Sequence, residues 1–108
     1  MPAYLIGDVE VTNPEAYAEY GRRFAATLEP FGGRLLIVGG PCEAVEGEWL
    51  PKRLVLLEFR SLQHARDWHA SPAYQAIIPI RHQNAITHFV TLADGWKPPG
   101  GQATVGRA

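Results

Sequence analysis

Two carboxylates interrupt otherwise apolar runs in this 108-residue sequence, and they are the first place to look for chemistry. Asp8 sits inside Tyr4–Val11, and Glu58 stands between Leu57 and Phe59. A carboxylate in a partly dry cleft has a raised pKa unless it is paired, which suits it to proton transfer. If its role is structural instead, it needs a cationic partner. Arg81 is the first choice of partner for Glu58, and Arg53 the second. Arg81 follows Tyr74 by seven residues and Ile77 by four, the spacing of one helical stripe. An inward arginine there requires a carboxylate, a ligand anion or backbone carbonyls. Of the histidines, His88 alternates with Ile86 and Val90 and is the best placed to enter a cleft, while His69 lies beside Trp68 at a helix break. The catalytic candidates are therefore Glu58, Asp8 and His88. Arg81, Arg53, His69, Tyr74 and Trp68 are the candidates for lining a ligand site.

Other chemistries find no support. His64, His69, His82 and His88 contain no pair at the i, i+4 spacing of a helical metal site, and the lone Cys42 cannot complete a paired-cysteine one, so no metal is expected. Cys42, next to Glu43, has nothing to favour a thiolate. Asp67, His69 and Ser71 are two apart and cannot relay a proton along a helix. Gly32-Gly33 and Gly39-Gly40 do not form G-x-G-x-x-G, so no dinucleotide cofactor is expected. Ten Lys+Arg against eleven Asp+Glu, with no basic cluster, exclude a nucleic-acid footprint. No apolar run approaches the ~20 residues of a membrane span. Met1-Pro2-Ala3-Tyr4 does not open like a signal peptide, which makes a cytoplasmic location the expectation.

The elements that must position these side chains follow from periodicity and punctuation. Tyr4–Val11 reads as a strand, closed by Thr12-Asn13-Pro14. Asn13 caps a helix that Pro14 opens, and Tyr17, Tyr20, Phe24, Leu28 and Phe31 form its apolar stripe. Pro30 and Gly32-Gly33 end it. Arg34–Val38 is the second strand, with Gly39-Gly40-Pro41 a bend before an irregular edge strand, Cys42–Glu46. The chain turns through Gly47–Pro51 and returns as Arg53–Phe59. Ser61 caps a second helix, carrying Leu62, Ala65 and Trp68. Ser71-Pro72 restarts it, and Pro79 is expected to kink or shorten it. Ile86–Ala93 is the last strand. The expected organisation is one domain over 1–95 and a flexible Gly/Pro-containing tail over 96–108.

The order β-α-β-β-α-β predicts an α+β, ferredoxin-like sandwich with both helical segments on one face of an antiparallel sheet. Alternation sends Leu5, Gly7, Val9 and Val11 toward the helices, with Val55, Leu57 and Phe59 beside them. Tyr4, Ile6, Asp8 and Glu10, with Leu54, Leu56 and Glu58, then face away. Leu35-Leu36-Ile37-Val38 and Leu54-Val55-Leu56-Leu57 are apolar on both sides, as in strands buried on both faces. Two helices cover only one, and a second copy of the sheet is the simplest cover for the other. A homodimer is expected.

With the elements in order, the residues resemble the family called domain of unknown function 1330. The match runs through Tyr4–Val11, Asn13-Pro14-Glu15-Ala16-Tyr17, Gly32-Gly33-Arg34, Glu46-Gly47-Glu48-Trp49, Arg53–Phe59, Trp68–Tyr74 and Arg81. The resemblance implies membership of the dimeric α/β-barrel superfamily, in which two ferredoxin-like sheets pack into a barrel. Its better-known members include cofactor-free monooxygenases and small lactone isomerases, with their chemistry between sheet and helices or at the barrel mouth.

Three functions are consistent with these residues. One is a binding protein for a small organic ligand, carboxylic or aromatic, held between sheet and helices or at the barrel mouth. Another is a cofactor-free enzyme, monooxygenase- or isomerase-like, using Asp8, Glu58 or His88 for acid–base chemistry. The third is a structural or interaction dimer without a ligand.

Overall fold

The structure is a computed structural model that describes residues 1–99. Strand β1, Ala3–Val11, is central: it pairs antiparallel with β3, Leu54–Phe59, on one side and with β4, Ala85–Asp94, on the other. Strand β2, Arg34–Val38, completes a four-stranded sheet of order β2-β3-β1-β4. Helices α1, Pro14–Leu28, α2, Leu62–Ala70, and α3, Pro72–Asn84, supply the helical layer. This is the α+β, ferredoxin-like arrangement read from the sequence.

Local chemistry sets the boundaries. The Asn13 side chain accepts the Ala16 N–H, and Pro14 occupies the first helical position, where its missing N–H costs nothing. A short 3-10 turn, Glu29–Phe31, ends at Gly32 with φ 65°, the left-handed conformation in which a glycine is least strained. The Ser61 and Ser71 hydroxyls cap α2 and α3 by accepting from the N–H groups of His64 and Tyr74. Pro79 does not end α3, which continues to Asn84.

The face assignment holds. Leu5, Leu57 and Phe59 join Tyr20, Trp68, Tyr74 and Ile77 in the core under the helices. Leu57, Phe59, Trp68 and Ile77 are fully buried, each worth about 1.5–3 kcal/mol of transfer free energy.

Two departures from the sequence reading matter for the site. No strand forms over Cys42–Glu46; the residues between β2 and β3 are irregular, with Val45, Trp49 and Leu50 exposed. Pro41 and Pro51, with Gly39, Gly40 and Gly47, leave few residues able to join a ladder. The second departure is a β-bulge. Asp8 opposes Phe89 but Val9 opposes Thr87, so His88 is skipped. One extra residue reverses the alternation beyond it. Thr87 takes the helix-facing place beside Val9, and His88 turns to the opposite face, where its Nε2 lies 3.0 Å from Glu10 Oε1. The expectation that His88 enters the cleft beside Val90 is corrected by this bulge.

From residue 100 onward the expected flexible tail lies outside the described residues. Within them, Gly95 N–H donates to Pro2 O at 2.9 Å.

Candidate functional site

A cavity of about 190 Å³ lies between the helix-facing side of the sheet and helices α1 and α3. Leu5, Val9, Val55 and Val90 form its floor. Helix α1 presents Tyr17, Tyr20 and Phe24 at three- and four-residue spacing, so all three rings share one wall. Neighbouring rings of this row lie 5.3 and 5.4 Å apart, centroid to centroid. Trp68 closes the inner end, its Nε1–H donating to Thr27 Oγ1 at 3.0 Å. The Thr27 hydroxyl donates in turn to Phe24 O.

Polar groups enter this apolar space at a few points. The Tyr20 and Tyr74 hydroxyls are 2.7 Å apart and buried. Burial pushes the Tyr20 phenol well above the ordinary tyrosine range and raises that of Tyr74, so both are neutral hydrogen-bonding groups. Arg81 is only 5% exposed. Its Nη1–H donates to Thr87 Oγ1 at 3.0 Å, a contact the bulge makes available, and its guanidinium lies 6.0 Å from the Tyr20 ring centroid. Arg53 reaches in from the start of β3, its guanidinium 5.8 Å from the Tyr17 ring. Among the described residues, both Nε atoms are buried without a hydrogen-bond partner. No Asp or Glu lines the cavity among those residues.

Arg53 is held by two devices. Asp8 Oδ1 accepts the backbone N–H groups of Lys52 at 2.9 Å and Arg53 at 3.2 Å. Gly39 has φ 69°, and a Cβ there would come within 2.5 Å of Arg53 Nη1. A side chain at position 39 would therefore both strain the backbone and displace the guanidinium.

The structure brings together Arg81, Arg53, Tyr74 and Trp68 of the residues singled out from sequence. His69 is exposed and does not line the cavity, its ring 5.5 Å from that of Tyr74. Burial, and then the Arg81 charge, hold its imidazole below the usual histidine range. Asp8, Glu58 and His88 are not in the cleft; all three lie on the opposite face of the sheet. The expected Glu58–Arg81 pair is corrected accordingly, because the sheet separates the two. Glu58 accepts from Tyr4 Oη at 3.2 Å and faces Arg34 Nε at 3.4 Å, its β2 neighbour in the sheet. Asp8 is 3% exposed and committed to the backbone. Tyr20, Thr87 and Gly39 were not singled out. The signal for Tyr20 was its place on an apolar stripe, since a buried phenol needs a partner. Nothing in the sequence marks the bulge that delivers Thr87.

Among the described residues, no group of three or more His, Cys, Asp or Glu is arranged to hold a metal ion. None of their helices is long and apolar enough to cross a membrane.

Fold and cleft together define an α+β protein with a ferredoxin-like sheet and an arginine-lined apolar cavity beneath its helices. The chain belongs to the family described as domain of unknown function (DUF1330), whose model matches residues 2–95. Among solved structures it is similar to a protein of unknown function from Rhodopseudomonas palustris, RPA0582, at 21% identity and a TM-score of 0.69, covering 90% of this chain and 84% of that one. It is similar to Rv0793 from Mycobacterium tuberculosis at 19% identity and a TM-score of 0.55, covering 92% and 99%. A conserved protein from Methanosarcina mazei Go1 is similar at 14% identity and a TM-score of 0.54, covering 89% and 94%. At these identities the likeness speaks to the fold. No curated protein matches the chain.

Proposed function

We propose that this protein binds a small organic acid in the cleft between sheet and helices, its apolar body against the aromatic wall and its carboxylate against the arginines. One observation carries the reading: two guanidiniums line an apolar cavity that no carboxylate faces among the described residues. A charge in such a place asks for an anion, and arginine is well matched to a carboxylate. Volume agrees with a small ligand. About 190 Å³ exceeds the roughly 150 Å³ of an apolar cavity that takes up benzene. The tyrosine pair offers a further hydrogen bond, because one hydroxyl donates to the other and leaves one proton free.

A homodimer is part of the same proposal. The face away from the helices presents Ile6, Leu54, Leu56, Phe89 and Ile86. A second copy of the sheet would cover them in the manner of a dimeric α/β barrel. An enzyme working through Asp8, Glu58 or His88 would have to act on that other face, and Asp8 is already engaged. The cleft is therefore the better-supported site.

Native mass spectrometry of the freshly purified protein tests the proposal, backed by titration with benzoate and phenylacetate. The expected result is a retained small acid or saturable binding of these probes. Absence of both overturns it and favours an interaction dimer without a ligand.

A further inference from the structure

The two arginines are separately mounted. Arg81 leans on Thr87 of β4, and Arg53 precedes β3. Val9 of β1 lies between them, its N–H donating to Arg53 O at 3.1 Å and its Cα opposite Thr87. At 4.7–4.9 Å per strand spacing, the backbone of Arg53 and that of Thr87, the residue on which the Arg81 guanidinium leans, are about 10 Å apart. Each guanidinium also has its own tyrosine ring, Tyr17 for Arg53 and Tyr20 for Arg81. Neither is a spare surface charge: Arg81 is buried, and Arg53 is fixed through its backbone by Asp8 and given room by Gly39. Among the described residues the Nε of each is buried without a hydrogen-bond partner.

One carboxylate carries one negative charge and neutralises one of the two guanidiniums. A monoacid would leave the other guanidinium, on buried Arg81 or half-buried Arg53, without a counter-charge. Resting on the binding function proposed above, we infer that the ligand is a dicarboxylate with a short apolar spacer, one carboxylate on Arg81 and the other on Arg53. The spacer lies over Val9 and against the rings of Tyr17 and Tyr20.

Calorimetric titration at fixed ionic strength separates this inference from the reading beneath it. The probes are benzoate and phenylacetate, then succinate, glutarate, adipate and terephthalate. The proteins are wild type, Arg53→Met and Arg81→Met, with Arg53→Gln as a second variant should the methionine fail to fold. The expected result is that one dicarboxylate length binds tenfold or more tighter than either monoacid, the range for one additional charge-assisted hydrogen bond. Loss of either arginine removes that advantage. Monoacids that bind as tightly as any diacid, with affinities indifferent to Arg53, overturn the inference and leave the binding function standing. No binding by any of the six acids, together with no retained acid in the native mass spectrum, overturns both.

Discussion

Replacing Asp8 with alanine tests how the cleft is built. Its Oδ1 accepts the N–H groups of Lys52 and Arg53 at 2.9 and 3.2 Å, in a side chain 3% exposed to solvent. A hydrogen bond to a charged group contributes about 1.5–3 kcal/mol, and the alanine leaves two donors without an acceptor. Taking the low end for both bonds, the loss is about 3 kcal/mol. In a domain of this size each kcal/mol lowers the melting temperature by about 4–8 °C, so the expected fall is about 12–24 °C. Asp8→Asn keeps an acceptor oxygen while losing the charge, and its fall is expected to be well under half as large. Thermal melts of the three proteins give the stabilities. Amide exchange at Lys52 and Arg53, expected to accelerate in the alanine variant beyond the general loosening, localises the effect. An Asp8→Ala protein that melts within ~3 °C of wild type, with those amides still protected, would refute the anchoring role.

The remaining expectations concern His69 and the far face. His69 has a folded pKa below that of the unfolded chain, so the unfolded state takes up its proton first as pH falls. Stability from this group is therefore lost as pH drops from about 6.5 toward the folded value; His69→Gln should flatten that part of a melting-temperature profile between pH 7 and pH 5, and an unchanged profile counts against the assignment. Glu58→Gln should cost less than about 1 kcal/mol, because its partner Arg34 is largely exposed; a loss above ~3 kcal/mol would instead mean a fully buried pair. Leu56→Lys places a charge on the apolar far face and should shift sedimentation at micromolar concentration from dimer to monomer. A wild type that is already a stable monomer contradicts the dimer proposal.

The fold was legible because its signals are local and repeat. Asn13-Pro14, Ser61 and Ser71-Pro72 announce helix starts by chemistry that needs no tertiary partner. The Leu5–Val9 and Val55–Phe59 rows sort the two faces of the sheet by period alone. Arg81 could be placed inward because Tyr74, Ile77 and Arg81 share a stripe on α3. What failed to be legible is non-local. The bulge at Asp8/Val9 is a property of two strands seventy-odd residues apart in sequence, and it exchanges His88 for Thr87 on the cleft side. Charge alone points from Glu58 to Arg81, and only the sheet order brings Arg34 beside it. The Tyr20–Tyr74 pair is likewise a contact between helices that no spacing within either helix reveals.

The central claim is that Arg81 lines the cleft in order to hold an anion. The direct test is a benzoate titration of wild type and Arg81→Met, with a thermal melt of each. Removing an unpaired buried charge relieves the cost of burying it. The expected result is a melting temperature equal to or above that of wild type, with benzoate affinity reduced at least tenfold. A variant that loses several kcal/mol of stability while binding benzoate as wild type does would contradict the claim and make Arg81 a structural residue.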